Sequence, residues 1–141
     1  MAEKAFAALR DLLVVASKSK KPDTATLATL AKPITDSIKE IGDFRDKNRS
    51  SVYFNHLSAV SEGIPALNWV FMEPTPAPFV SDMKDSALFY TNRVLKDFKD
   101  KDAKHVDWAK TFVQVLADLQ DYVKRQHTTG LSWNASVSSA L

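Results

Sequence analysis

Apolar side chains recur every three or four residues along most of this 141-residue chain, the spacing of helices that each bury one face. From Ala5 to Ser17 the stripe is Phe6, Leu9, Leu12, Leu13 and Ala16. Lys20-Lys21-Pro22-Asp23 closes that helix, and Asp23 or Thr24 can cap the next by accepting from a free first-turn amide. Between Thr24 and Asn48 the stripe is Leu27, Leu30, Ile34, Ile38, Ile41 and Phe44. Pro33 removes one backbone donor, yet the stripe stays in phase across it, which predicts one helix bent at the proline. Ser50 or Ser51 can cap a third helix, with Tyr53, Leu57, Val60, Ile64, Leu67 and Phe71 on its buried face and bends at Gly63 and Pro65. That helix is expected to end by Met72, because Pro74, Pro76 and Pro78 make Glu73 to Pro78 a stiff, extended connector. Ser81 and Asp82 open a fourth helix with Met83, Ala87, Tyr90, Val94 and Phe98 as its stripe. After a turn within Lys96 to Lys104, a fifth carries Ala109, Phe112, Leu116, Leu119 and Val123. Connections this short make successive helices antiparallel neighbours. The expected fold is therefore all-α, an antiparallel bundle of about five helices. One domain spans residues 1–130, stopped at Gly130, and residues 131–141 read as a tail.

Composition narrows the class. Hydrophobic residues are 45 % and charged residues 26 %, the balance of a soluble globular domain. Nineteen Lys and Arg nearly cancel seventeen Asp and Glu, and a net charge of +2 does not support bulk nucleic-acid binding. With no cysteine there is no disulfide scaffold, thiolate metal site or cysteine nucleophile. No apolar run reaches the roughly 20 residues of a membrane span. Met1-Ala2-Glu3-Lys4 lacks the basic-then-apolar order of a signal peptide, so a cytoplasmic setting is the expectation.

Catalysis needs convergent polar groups, and the chain offers few. Glutamate occurs only at Glu3, Glu40, Glu62 and Glu73, each in a different segment, so no acid–base couple shares a helix. His56, His105 and His127 belong to no metal-ligand spacing and read as surface or cap residues, with His127 suited as a cation to a helix C-terminus. Three scattered glycines form no phosphate cradle. The expectation is a protein that is not an enzyme and uses no cofactor or metal.

The segment Phe44-Arg45-Asp46-Lys47-Asn48-Arg49-Ser50-Ser51-Val52-Tyr53-Phe54-Asn55 is the most informative. It gathers basic, small polar and aromatic groups around one helix–helix corner. Two readings stand level on physics alone: a solvated helix end followed by a cap, or a docking surface, where Arg and aromatics concentrate binding energy.

Longer stretches carry a resemblance. Asn48-Arg49-Ser50-Ser51 and Phe54 to Glu62 resemble the helical folded domain of cyclase-associated proteins. So do Trp69-Val70, Glu73-Pro74-Thr75-Pro76, Phe89 to Lys96, His105-Val106-Asp107-Trp108 and His127 to Trp133. Glu62-Gly63-Ile64-Pro65-Ala66-Leu67 is similar to fungal members. The resemblance implies a six-helix bundle that binds actin and acts with cofilin at filament pointed ends to promote depolymerisation in the actin cytoskeleton. It implies docking residues at Arg45, Asn48, Arg49, Ser50, Phe54 and Asn55, then at Pro74, Thr75 and Pro76. It places adenylyl cyclase association in an N-terminal coiled coil that this sequence does not contain. The family's first helix is also missing before Ala5, and the apolar groove this exposes makes a homodimer an expectation. Trp69, Tyr90, Trp108 and Phe112 are expected in the core, and Arg93 in a carboxylate pair. The alternative is a helical scaffold that binds another protein or an anionic membrane surface through Lys18, Lys20, Lys21 and the Arg45–Arg49 corner.

Overall fold

A computed structural model describes residues 1–135. Six α-helices form the bundle among them: α1 Ala2–Ser17, α2 Thr24–Leu30, α3 Lys32–Asp46, α4 Phe54–Gly63, α5 Ala77–Phe98 and α6 Ala103–Gln126, with a 3₁₀ helix at Ile64–Phe71. Successive long helices lie side by side, α1 on α3, α3 on α4, α4 on α5 and α5 on α6. The 3₁₀ helix packs against α1, α3, α4 and α5. Among the described residues no helix is long and apolar enough to cross a membrane.

The expected stripes held where a helix has one dry face. All five residues expected on α6 are buried: Ala109, Phe112, Leu116, Leu119 and Val123. Asp23 caps α2 as anticipated, its carboxylate accepting from the Thr26 amide at 2.7 Å. This bond to the charged form pulls the Asp23 pKa below its usual value.

Five expectations fail for identifiable reasons. The segment 24–48 is two helices rather than one bent helix, because Pro33 has no N–H to continue the ladder and sits in the first turn of α3. The third helix likewise divides at Gly63, where α-helix tightens to 3₁₀ just before Pro65. Ser51 caps the turn, not the helix: its hydroxyl accepts from the Tyr53 amide at 3.1 Å, and α4 starts at Phe54 without a side-chain cap. The buried residues of α4 are Ser58, Ala59 and Gly63, not Tyr53, Leu57 and Val60. α4 lies against α3 and α5, and its Gly63 faces Leu116 and Phe112 of α6. Finally, α5 begins at Ala77, not Ser81. Pro78 fits in its first turn because a donor missing there has no intrahelical acceptor to lose.

The expected tail is docked as far as Asn134. Leu131 is buried, and the Asn134 amide donates to the carbonyls of Ala16 at 3.1 Å and Ser19 at 2.8 Å. The rest of that expected tail, residues 136–141, lies outside the described residues.

Gly63 sits where a Cβ would lie 2.8 Å from Leu116 Cδ1 and 3.0 Å from the Phe112 ring. Gly63→Ala should therefore destabilise the fold by about 1–3 kcal/mol through overpacking. Leu116→Ala, at a fully buried position, should cost about 2–5 kcal/mol through a cavity. Urea melts read both, and an unchanged midpoint for either variant would contradict this packing.

Candidate functional site at the α3–α4 corner

The C-terminus of α3 carries the basic run, and the chain reverses over residues 47–53 before entering α4. Three bonds fix that reversal: Asn48 N to Arg45 O at 3.0 Å, Ser51 N to Asn48 O at 3.0 Å and Phe54 N to Ser51 O at 3.1 Å. The Asn48 side chain donates to the Phe44 carbonyl at 2.7 Å and so closes the end of α3. Asn48 is thus spent on the corner itself, and Arg45 is too. Its side chain is only 21 % exposed and pairs with Asp46 at 3.1 Å and with Glu62 of α4 at 3.4 Å. Arg49 is outward, tethered to Asp46 at 3.3 Å. Ser50 is exposed, and Phe54 is half-buried. Asn55 is half-buried and reaches Asp97 on α5 at 3.4 Å. The most exposed apolar groups there are Val52, 79 % exposed, and Tyr53, 50 % exposed.

Pro74, Thr75 and Pro76 are elsewhere. They precede α5, whose 22 residues span roughly 33 Å before Asp97 and Phe98 reach the corner. The two expected docking segments thus lie at opposite ends of the bundle. Pro74 and Thr75 are exposed, whereas Pro76 is fully buried as the residue that starts α5. Arg93, expected in a carboxylate pair, lies over the Phe89 ring at 4.4 Å instead. Trp69 and Phe112 are buried as expected, and Tyr90 and Trp108 pack half-buried against the core.

Sequence reading missed the histidines. The starts of α4 and α6 and the end of α5 meet at one end of the bundle, which brings His56 Nε2 to 2.8 Å from His105 Nδ1. The His105 ring is stacked between Phe98, 3.9 Å away, and Tyr53, 5.8 Å away. Trp108 lies 5.0 Å from the His56 ring. Burial, then the neighbouring His105, lower the His56 pKa against the opposing pull of Asp97. His127, at the far end, is a buried neutral residue rather than an exposed cation. Its Nδ1 accepts from the Ser132 amide at 3.0 Å, which puts the proton on Nε2, 3.0 Å from the Tyr122 hydroxyl. Burial lowers its pKa as well. The available signal was topological. His56 and His105 each occupy a helix first turn, and antiparallel order brings those turns together. Among the described residues no group of three or more His, Asp or Glu is placed to hold a metal ion.

The turn presents Arg49, Val52 and Tyr53 beside a half-buried histidine pair. Residues 1–131 match the family described as the N-terminal domain of CAP, and the chain belongs to that family. It is 52 % identical over 134 residues to human adenylyl cyclase-associated protein 2, covering 95 % of this chain and 28 % of that protein. Human adenylyl cyclase-associated protein 1 is 55 % identical over 125 residues, 89 % of this chain and 26 % of that one. The N-terminal domain of the Dictyostelium discoideum adenylyl cyclase-associated protein superposes with a TM-score of 0.96 at 50 % identity, covering 99 % of this chain and 79 % of that chain. A second N-terminal-domain structure, described as indicating variable oligomerisation, superposes at 0.94 and 50 % identity, covering 97 % of this chain and 74 % of that one. The chain thus spans between a quarter and a third of the full-length relatives' length.

Both lowered histidine pKa values act on stability in one direction. The unfolded chain takes up protons near pH 6.5, while the native rings resist them. Stability is therefore full above about pH 6.5 and falls as pH drops below it. Thermal melts at pH 7.5 and 5.5 should show a lower midpoint at 5.5, and coincident melts would contradict neutral, buried rings.

Proposed function

We propose that this chain is a non-enzymatic module that regulates actin, acting with cofilin at filament pointed ends to speed the loss of terminal subunits. Family membership supports the actin-regulating role. The observation that carries the site is the fixed turn 47–53, which presents Arg49, Ser50, Val52 and Tyr53 on a backbone already ordered by its own hydrogen bonds. A surface ordered before contact loses little entropy on binding. Arg45, Asn48 and Asn55 support that surface, and Phe54 roots it in α4. Pro74 and Thr75 form a second contact only with a partner long enough to reach the opposite end. Pro76 positions α5.

Such a module needs no covalent chemistry. Binding the terminal subunit more tightly in its detaching geometry than in its filament geometry shifts the equilibrium by that difference alone. Each 1.4 kcal/mol or so of preference is worth about tenfold. The setting is the cytoplasmic actin cytoskeleton, and self-association through the exposed apolar positions is part of the same reading.

The alternative, an anionic membrane surface, draws less support. Lys21 is engaged with Glu73 at 2.6 Å, which removes one cation from the basic patch it requires. Liposome binding that collapses at modest salt would favour it.

Single-filament microscopy with cofilin tests the proposal. Wild-type chain should accelerate pointed-end loss. Arg49→Ala with Tyr53→Ala should cut the effect about tenfold or more while circular dichroism stays helical. Arg45→Ala should change stability by under about 1 kcal/mol, because Glu62, 42 % exposed, regains water. Full activity in the Arg49/Tyr53 variant would remove the corner from the binding surface.

A further inference from the structure

The His56–His105 contact has a proton count that only one neutral arrangement satisfies. Four ring nitrogens share two protons. His56 Nε2 and His105 Nδ1, 2.8 Å apart, require one proton between them. His105 Nε2 faces the Asp102 carboxylate at 3.6 Å and suits the other. His56 Nδ1 is buried without a hydrogen-bond partner among the described residues, so it must be the bare nitrogen. The chain then runs from His56 Nε2–H to His105 Nδ1, and from His105 Nε2–H toward Asp102.

A third proton has no satisfactory place. On His56 Nδ1 it is a buried donor without an acceptor. In the bridge it sets two N–H groups against each other. Passing the bridge proton to His105 still requires His56 to carry its own proton on the buried Nδ1. The charged groups facing the pair are Asp97 from the end of α5 and Asp102 from the start of α6. The turn contributes the Tyr53 ring. Asp97 and Asp102 favour a cation, but neither is within hydrogen-bond distance of the pair. The positive end of α6, where His105 is the third residue, opposes it. A proton is therefore accommodated by separating the rings. The part of their cover with most room to move is Tyr53, half-exposed on the turn.

We propose that the His56–His105 pair is a proton-sensitive latch that holds the turn 47–53 and Asn55 in one geometry when neutral and releases them when protonated. As regulation of the docking corner, this rests on the function proposed above; as a property of the fold, it does not. Acidification would free the Tyr53 ring and slacken the surface that carries Arg49 and Ser50. Binding through that surface would then weaken between about pH 7 and pH 5.5, the range in which an unconstrained histidine takes up its proton.

Hydrogen exchange on the whole chain tests the latch without any partner. The amides of Asn48, Ser51, Tyr53, Phe54 and Leu57 report it, since each is bonded in or beside the turn. After correction for intrinsic rates, their exchange should rise up to about tenfold from pH 7.5 to 5.5, the effect of one proton taken up near pH 6.5 only by the open form. His56→Phe fills the same aromatic box without the buried nitrogen, and should remove that rise. His127→Gln should leave it in place, separating the latch from the buried histidine at the other end. Should His56→Phe fail to fold, the wild-type NMR titration decides: the Tyr53 ring resonances should shift with the same midpoint as the His56 or His105 ring protons. A turn whose exchange ignores pH, a rise that survives in folded His56→Phe, a rise abolished by His127→Gln, or Tyr53 resonances that do not follow either histidine would each overturn the latch. Filament binding at pH 7.5 is measured alongside. Its absence would sink the docking function and leave the latch standing, whereas pH-independent exchange sinks the latch whatever the filaments show.

Discussion

Burial of the segment Ile64–Phe71 is the constraint on which the rest of the molecule depends. Five of its eight residues are buried, and Trp69 is completely so, although a 3₁₀ helix has poorer hydrogen-bond geometry than the α-helix it continues. Its tolerance comes from apolar content. Ile64, Ala66, Leu67, Trp69 and Val70 lose water against four helices at once. Gly63 makes the junction possible, since any side chain there meets Leu116 and Phe112. The bare position lets α6 approach this junction without displacing Leu116 or Phe112.

This central seam fills the middle of the bundle, and the two ends differ in kind. Around the α3–α4 corner, side chains spend their hydrogen bonds on the backbone and on one another, which leaves a few exposed groups on a stiff turn. At the other end Lys21 pairs with Glu73 and residues 131–134 are tied to the C-terminus of α1, so the polar groups there close the fold. Rigidity at the corner is bought with Arg45 and Asn48, which explains why residues in a basic run need not all face a partner.

The two buried histidine environments show how one residue type takes different roles. His127 is fully bonded, accepting from a backbone amide and meeting a tyrosine hydroxyl, and it fixes the descent from α6. His56 is bonded on one nitrogen and bare on the other. The first arrangement resists protons through burial alone. The second resists them through burial first and then through the neighbouring His105, and its cover sits on the exposed turn.

Periodicity by itself determined the all-α class and the buried face of α6, and residue type narrowed the α2 cap to Asp23 or Thr24, because each depends on contacts within one helix or on one dry face. It also singled out the corner, since Arg, Asn and aromatics stand together in the chain. Division of residues 24–48 into two helices was not legible, because apolar phase persists across Pro33 while the hydrogen-bond ladder does not. The buried set of α4 was hidden for another reason: which of its residues are covered depends on α3, α5 and α6, which the pattern within α4 does not record. Only tertiary structure could separate Arg45, drawn onto Glu62, from Arg49 in solvent, or set Pro74 and Thr75 a helix length from the corner. The histidine pair lies at the far limit of this, joining positions 49 residues apart in the chain. Its short N···N contact exists only because α4, α5 and α6 alternate in direction and bring two helix starts and one helix end to the same place.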